Sequence, residues 1–505
     1  MLAEFLRQAR EDRPVYITDV RRAFQSGGTR PFHIHVRLYD GTVRQFPLRL
    51  PETRTPEEAE FVRSYVHAML YNILSSLGAL RIDLYLDPSD RECAEMAQAL
   101  DTVFQTDLPK ASRTGFGKCL NVNERTVFAL TQGRESFSFR ACDIAGEPQV
   151  SEPETLACSE PVFSALPAMT RGRLLLGIDI GGTDIKLAVS FDGELALCKE
   201  FDWFPASFAT AEELIDPILL LTRLLRAAGT LYAQGKKKQI DAAALSKTAT
   251  LTEMARGAAA MEQAAAGADV SRGFFAHTLG TELGTGWVRP DGSIPEIPLE
   301  VYNFIIDLGS FPQKQYDAND VRSINNFNTL LPGTLQKYTC QSGVFRHAAR
   351  DLPEQDAAVY AEALEKGLFL PQGSRLIVPT EPKDMRKPCL EYFMAMAADP
   401  AHPACAEIFR RIGEYLAVTW SETQYILLPE TPDRTLFGRL VKNPVCFDLM
   451  CQGAARREPE LRQYAADGSL ANTALMRQLD SHPDYTVAQF AQAVGAIFYG
   501  CMGLL

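Results

Sequence analysis

Hydrophobic positions in the first 165 residues recur at two spacings, one typical of strands and one typical of helices. Apolar and polar residues alternate where half-buried strands are expected, and the Asp40-Gly41 dipeptide between two such stretches signals a hairpin. Longer stretches with helical spacing follow acidic or capping residues. The strands are predicted at 33–38, 42–50 and 81–86, and the helices at 56–78 and 91–104. This alternation predicts a compact α+β or α/β domain.

The rest of the chain follows a proline-rich stretch without periodicity, residues 146–170, which we interpret as a linker. Beyond it, two apolar stretches flank a pair of glycines, and a third apolar stretch and a long helical pattern follow. The strands are predicted within 174–189, at 194–204 and at 240–245, and the helices at 211–234 and 400–427.

The residues between the first two of these strands carry groups suited to phosphate chemistry. Gly181 and Gly182 permit a bend whose backbone N–H groups can cradle an anion, and Thr183 adds a hydroxyl. Lys186 can reach a phosphate as a point charge, and Asp179 is suited to holding a hydrated magnesium ion. The alternative is a plain β-hairpin with a Gly-Gly turn.

Composition narrows the class of protein. The chain has 505 residues, 46% of them hydrophobic and 23% charged, with a net charge of −12. Two or three domains are expected, and the acidic balance argues against a nucleic-acid partner. No apolar stretch is long enough to predict a membrane span, and the N-terminal sequence does not have the pattern of a signal peptide. Eleven scattered cysteines without a C-x-x-C pair favour reduced thiols in the cytoplasm.

Two histidines, His33 and His35, share one face of their predicted strand. They could bind a metal, but the sequence offers no cysteine or third histidine nearby. A plain polar strand face is therefore the favoured interpretation.

The DIGGTDIK stretch at 179–186 resembles the first phosphate loop of actin-like sugar kinases, D-x-G-G-T-x-x-K, and is most similar to that of the ROK family. The resemblance spans roughly 173–505. It implies an α/β, actin-like (ribonuclease H-like) two-lobed ATPase fold with an additional N-terminal α+β domain. The domains would be 1–165 and 172–505, the latter with lobes at 172–275 and 276–505.

A second glycine-rich stretch, HTLGTELGTGWV at 277–288, looks like the second ROK phosphate loop, T-L-G-T-G-x-G-x-G, with Glu282 in place of a glycine. Near the C-terminal strand, Gly438 remains of a Gly-Gly pair that the family places beside adenosine. The resemblance implies ATP and magnesium as cofactors. The residues expected at ATP are Gly181, Gly182, Thr183, Gly280, Thr281, Gly284, Thr285 and Gly438.

The sugar-binding residues are also implied by position. Glu300 falls on the family's sugar-binding glutamate, Asn303 on its histidine and Gln336 on a second glutamate. Carboxylate and amide groups suit sugar hydroxyls. The family's zinc ligands, cysteines and a histidine, are missing before Gly333, so the sequence predicts no zinc.

The catalytic aspartate of the family has no counterpart in register in this sequence. Glu253 lies one residue out of register with the family's aspartate, and Asp241 is the alternative. With Asp179 and Lys186, Glu253 would complete the catalytic set of a sugar kinase. The alternatives are an impaired sugar- or nucleotide-binding regulatory protein and a kinase for another acceptor. The small-molecule partner is a sugar, a homodimer is left open, and a repressor is disfavoured because no recognition helix is evident.

Overall fold

The computed structural model describes most of the chain. The described residues are 1–39, 41–131, 136–149, 169–181, 184–202, 205, 208–235, 274–280, 283–290, 295, 297–465, 475, 478–479, 482 and 487–501. Within them the fold is mixed α/β with four sheets, which confirms the predicted α/β class. The strand predicted at 240–245 lies outside the described residues. None of the described helices is long and apolar enough to cross a membrane.

The N-terminal part is one sheet with helices packed on it. The strand order is β2-β1-β3-β4, with β1 antiparallel to both neighbours and β3 parallel to β4. Helix α3 begins where the sequence predicts, because the Thr55 hydroxyl accepts a hydrogen bond from the Glu58 N–H and Pro56 follows the cap. The elements are α1 (Leu2–Arg10), α2 (Ile17–Gly27), β1 (Arg30–Arg37), β2 (Val43–Leu50), α3 (Pro56–Ser76), β3 (Arg81–Leu86), α4 (Arg91–Gln98), α5 (Leu100–Phe104), α6 (Lys118–Thr131) and β4 (Ser138–Asp143).

The two histidines of β1 share a carboxylate supplied from beyond β4. His33 Nδ1 lies 2.8 Å and His35 Nε2 lies 2.7 Å from the Glu147 oxygens. Burial raises the pKa of Glu147, but the hydrogen bonds from both histidines lower it by more, so the net shift is downward. Within the described residues, no three His, Cys, Asp or Glu side chains are arranged to hold a metal ion.

The next sheet, β5-β6-β7, is antiparallel and has a helix on each face. Leu174 contacts α7 on one face of the sheet, and Gly177 contacts α15 on the other. This is expected because strand residues three positions apart point to opposite faces. The elements are β5 (Leu174–Ile180), β6 (Asp184–Phe191), β7 (Glu194–Asp202), α7 (Ala211–Ala233) and, near the C-terminus, α15 (Val487–Cys501).

The third sheet has the order β13-β12-β8-β9, in which β12 is parallel to both β8 and β13, and β9 is antiparallel to β8. The same part of the chain also forms a two-stranded hairpin, β10-β11, and several helices. The elements are β8 (Phe274–Leu279), β9 (Leu283–Val288), α8 (Phe311–Lys314), α9 (Cys340–Gln355), α10 (Ala357–Glu365), β10 (Leu370–Gln372), β11 (Arg375–Ile377), α11 (Arg386–Ala398), α12 (Pro403–Leu427), β12 (Arg434–Phe437), α13 (Arg439–Lys442), α14 (Pro444–Arg457) and β13 (Gln463–Ala465).

One hydrophobic core contains buried side chains from both 2–137 and 275–450. Across this core, Arg21 of α2 forms a buried ion pair with Glu422 of α12, and Arg21 also lies over the ring of Tyr425. The sheet β5-β6-β7 and α7 have a separate apolar cluster. The two stretches that share this core lie on opposite sides of the predicted domain boundary at 165–172. The division into domains stays a prediction.

Candidate functional site

Asp179 and Lys186 face each other across the hairpin that β5 and β6 form. They are register partners, and Lys186 Nζ lies 3.9 Å from Asp179 Oδ2. Both side chains are largely buried, and Lys186 also forms an ion pair with Asp184, two positions earlier on β6. Burial lowers the pKa of Lys186, but the carboxylates of Asp184, Asp179 and Glu200 together raise it by more, so the net shift is upward. The ammonium group is therefore charged and held beside two carboxylates.

A glutamine from α15 completes the surroundings of Asp179. With its amide nitrogen turned toward the carboxylate, Gln492 donates to both Asp179 oxygens, at 2.7 and 3.0 Å. Nothing in the local sequence pattern of α15 indicates that it meets β5, so this contact of Gln492 was not predictable from the sequence. The arrangement fixes the carboxylate, as a magnesium-orienting group requires.

Gly181 closes the hairpin. Its N–H donates to the Asp184 carbonyl at 2.8 Å, and a Cβ at this position would lie only 2.9 Å from that oxygen. Glycine is therefore required here by close approach of the backbone. Gly182 and Thr183, which were expected to contact phosphate, lie outside the described residues.

The second glycine-rich stretch joins β8 to β9. The carbonyl of Gly280 accepts a hydrogen bond from the N–H of Gln341, at the start of α9. Thr285 lies within β9 rather than in the turn, and its buried hydroxyl is 3.1 Å from His277 Nδ1. Burial lowers the pKa of His277 to about 3, so this histidine is neutral. Thr281 lies outside the described residues, and Gly284 pairs with Thr278 in the β8-β9 ladder.

Gly438 directly follows β12 and has a φ of 101°. A Cβ there would lie 2.7 Å from the Leu279 carbonyl carbon, at the end of β8. This glycine therefore brings the ends of β8 and β12 together, beside the second glycine turn.

Of the three residues expected at the sugar, Asn303 and Gln336 lie on two short 3-10 helices and Glu300 directly precedes the first of them; all three are buried. Asn303 Nδ2 donates to Glu300 Oε2 at 2.8 Å, and Gln336 Oε1 accepts from the Phe327 N–H at 3.1 Å. The helices, Val301–Asn303 and Leu335–Lys337, are joined because the Leu335 N–H donates to the Phe304 carbonyl at 2.7 Å. The structure thus places the expected sugar-binding residues on adjoining segments. Glu253 and Asp241, the two candidates for the base, lie outside the described residues.

No protein-family model matches the chain, and no curated protein matches it. The chain is similar to ROK family structures. The ROK family glucokinase from Streptomyces griseus, solved with glucose and AMPPNP, is 15% identical, with a TM-score of 0.38 over 64% of this chain and 98% of that one.

Two other solved structures of ROK family proteins are similar to this chain. The ROK hexokinase from Thermus thermophilus is 14% identical, with a TM-score of 0.36 over 64% of this chain and 97% of that one. A ROK family transcriptional regulator, a homolog of the E. coli MLC protein, is 13% identical, with a TM-score of 0.32 over 87% of this chain and all of that one. All three are ROK family proteins, the family that the glycine motif at 179–186 resembles.

Proposed function

We propose that this protein transfers the terminal phosphoryl group of ATP to a hydroxyl of a sugar, a hexose or a hexose derivative. The observation that carries the proposal is the pairing of Asp179 with Lys186 across a hairpin closed by Gly181. A fixed carboxylate and a fixed ammonium group beside a glycine turn are the parts that phosphoryl transfer needs for positioning and charge neutralisation.

The carboxylate side of this pair fits magnesium. Asp179 offers oxygen ligands, and the amide of Gln492 holds them in one orientation. Bound there, magnesium would neutralise charge on the phosphates. Lys186 would act as a second positive charge, for which its raised pKa keeps it protonated.

The sugar side rests on Glu300, Asn303 and Gln336. The Glu300 carboxylate accepts a hydrogen bond from the Asn303 amide and is buried, so it is already oriented and desolvated. An ionised carboxylate accepts hydrogen bonds from hydroxyls, and the two amides both donate and accept. Glu253 is the proposed general base, which would take the proton of the attacking hydroxyl, with Asp241 as the alternative.

A second candidate is a sugar- or nucleotide-binding regulatory protein with impaired catalysis. Two contacts favour it: Lys186 is engaged by Asp184, and the Thr285 hydroxyl is engaged by His277. Glu282 adds a negative charge to the second glycine turn. Each of these features disfavours tight binding of phosphate.

The two candidates are separated by measuring ATP binding and sugar phosphorylation on the same preparation. We expect ATP to bind in the presence of magnesium, and one member of a panel of hexoses and hexosamines to be phosphorylated. Gly182→Val should abolish nucleotide binding. Glu253→Gln should abolish turnover and leave nucleotide binding intact, because a base acts on the chemical step.

One outcome contradicts the kinase proposal, and another contradicts only its choice of catalytic base. A wild-type protein that binds ATP but phosphorylates no sugar in the panel supports the regulatory candidate. Full activity of Glu253→Gln would show that another carboxylate is the base, and Asp241→Asn is then the variant to test.

A further inference from the structure

Asn72, in α3, is fully buried and holds the backbone of Ile305, two residues after Asn303 of the candidate sugar site. Its Nδ2 donates to the Ile305 carbonyl at 3.1 Å, and its Oδ1 accepts from the Ile305 N–H at 2.7 Å. A third bond, also 3.1 Å, runs from Nδ2 to the buried carboxylate of Glu422. The side chain therefore makes with Ile305 the pair of bonds that a neighbouring strand would make.

The C-terminal end of the same helix holds the backbone that carries Glu300. The N–H groups of Leu299 and Glu300 donate to the carbonyls of Ser76 and Ser75, each at 2.9 Å. The last carbonyls of a helix have no partner within it, so they need such external donors. Leu299 has a φ of 53°, which turns the chain sharply just before Glu300.

These contacts extend to the third expected sugar residue. Ile305 forms an antiparallel bridge with Thr334, and the Leu335 N–H donates to the Phe304 carbonyl. Gln336 follows directly in the same 3-10 helix. The segment 299–305 therefore lies between α3 on one side and the segment that carries Gln336 on the other.

We propose that Asn72 and the last turn of α3 are positioning elements of the sugar site, so that the N-terminal part of the chain sets its affinity for sugar. The inference rests on the proposed function, since it concerns the same Glu300, Asn303 and Gln336. Asn72 acts through the backbone of Ile305. Ser75 and Ser76, in the last turn, act through the carbonyls that hold Leu299 and Glu300. A displacement of about 1 Å in such a segment is enough to change binding or rate substantially.

The chain contains a matched control for this role. Asn123, in α6, is also fully buried, and it clamps the backbone of Ala79 with bonds of 2.9 Å to the carbonyl and 2.8 Å from the N–H. Its third bond comes from the hydroxyl of Tyr39. Asn123→Leu thus removes three hydrogen bonds of a buried side chain of the same type, as Asn72→Leu does, but at Ala79 rather than at Ile305.

The experiment compares the full-length wild type, Asn72→Leu and Asn123→Leu by calorimetric titration with the panel of hexoses and hexosamines and, separately, with ATP and magnesium. Both variants should unfold at lower urea concentration, because each leaves backbone groups unpaired. Only Asn72→Leu should raise the Kd for sugar, by about tenfold or more, with the Kd for ATP unchanged. Glu422→Gln keeps an oxygen that can accept from Asn72, so its Kd for sugar should stay that of the wild type.

Three results would overturn the inference, and one of them is also the failure of the proposed function. If the wild type binds sugar and Asn72→Leu binds it equally well, α3 does not position the site. If both asparagine variants weaken sugar binding alike, the effect is one of general stability. If the wild type binds no sugar at all, the proposed function fails and the inference fails with it. Should Asn72→Leu not fold, Asn72→Ser, paired with Asn123→Ser, takes its place.

Discussion

A single methyl group at Gly177 should disturb both the packing of α15 and the candidate magnesium ligand. A Cβ at Gly177 would lie 2.7 Å from the Ala493 carbonyl carbon and 2.9 Å from Ile497 Cγ1, with the Ala493 oxygen closer still. Ordinary contacts of a Cβ are 3.4–4 Å. The obstacle is the backbone of a helix, which cannot turn aside as a side chain can. Gly177→Ala therefore forces α15 to move away from β5.

The expected cost follows from this geometry. Overpacking of a core costs about 1–3 kcal/mol, and a rigid obstacle places Gly177→Ala near 3 kcal/mol. Gln492 directly precedes Ala493, so its amide should withdraw from Asp179. Since a hydrogen bond to a charged group contributes about 1.5–3 kcal/mol, we expect the Kd for ATP and magnesium to rise about tenfold.

The assay is urea unfolding followed by calorimetric titration with ATP, and Gly229→Ala is the control. Gly229 lies in α7, on the opposite face of the sheet, where a Cβ would be 3.3 Å from Leu174 Cγ and closer to its terminal methyl group. A side chain can shift, and alanine favours a helix over glycine by about 1 kcal/mol, so little net change is expected. If Gly177→Ala unfolds at the same urea concentration as the wild type, the close packing of α15 on β5 is wrong.

Two further predictions concern charge. Asp184→Asn should release Lys186 from its ion pair and lower the Kd for ATP several-fold, which is about 1 kcal/mol of binding free energy. Calorimetry that shows unchanged or weaker binding would mean that Lys186 does not reach phosphate. Stability should also fall in acid, because the buried His277 and His347 and the half-buried His67 have a lowered pKa. Their pKa is about 4 for His67 and about 3 for His277 and His347, against 6.5 when unfolded. These histidines stay neutral in the folded protein, so stability is complete above about pH 6.5 and decreases below it, by up to about 1.4 kcal/mol per pH unit for each. Equal urea midpoints at pH 7.5 and pH 5 would contradict this.

Local patterns predicted the elements well where neighbouring residues determine them. The strand predicted at 81–86 is β3 itself, and the helix predicted at 211–234 ends one residue early. The helix predicted at 91–104 is instead two helices, α4 and α5, with Ala99 between them. Helices α1 and α2, which precede the first predicted strand, were missed.

The candidate site was predictable only in its local part. Asp179 and Lys186 fall on one motif, and Glu300 and Asn303 are three residues apart. The competition of Asp184 for Lys186 was also readable, because residues two apart on a strand share a face. Contacts between distant residues are different. Outside the candidate site, for example, Glu147 contacts His33 and His35 from more than a hundred residues away, and no periodicity in the sequence indicates this.

The two halves of the candidate site depend on elements distant from them in sequence. Asp179 is oriented from α15, and the backbone that carries Glu300 is held by α3. Asp307 shows the same dependence, since its Oδ1 accepts from the Val15 N–H at 2.8 Å and its Oδ2 accepts from the Tyr338 hydroxyl at 2.5 Å. A fragment that begins at residue 172 would keep every residue of the glycine motifs, and α15 with them, but would lose α3 and Val15. It would also expose the apolar side chains that now pack against residues 2–137. The motif alone therefore does not make the site; its geometry requires the N-terminal part of the chain.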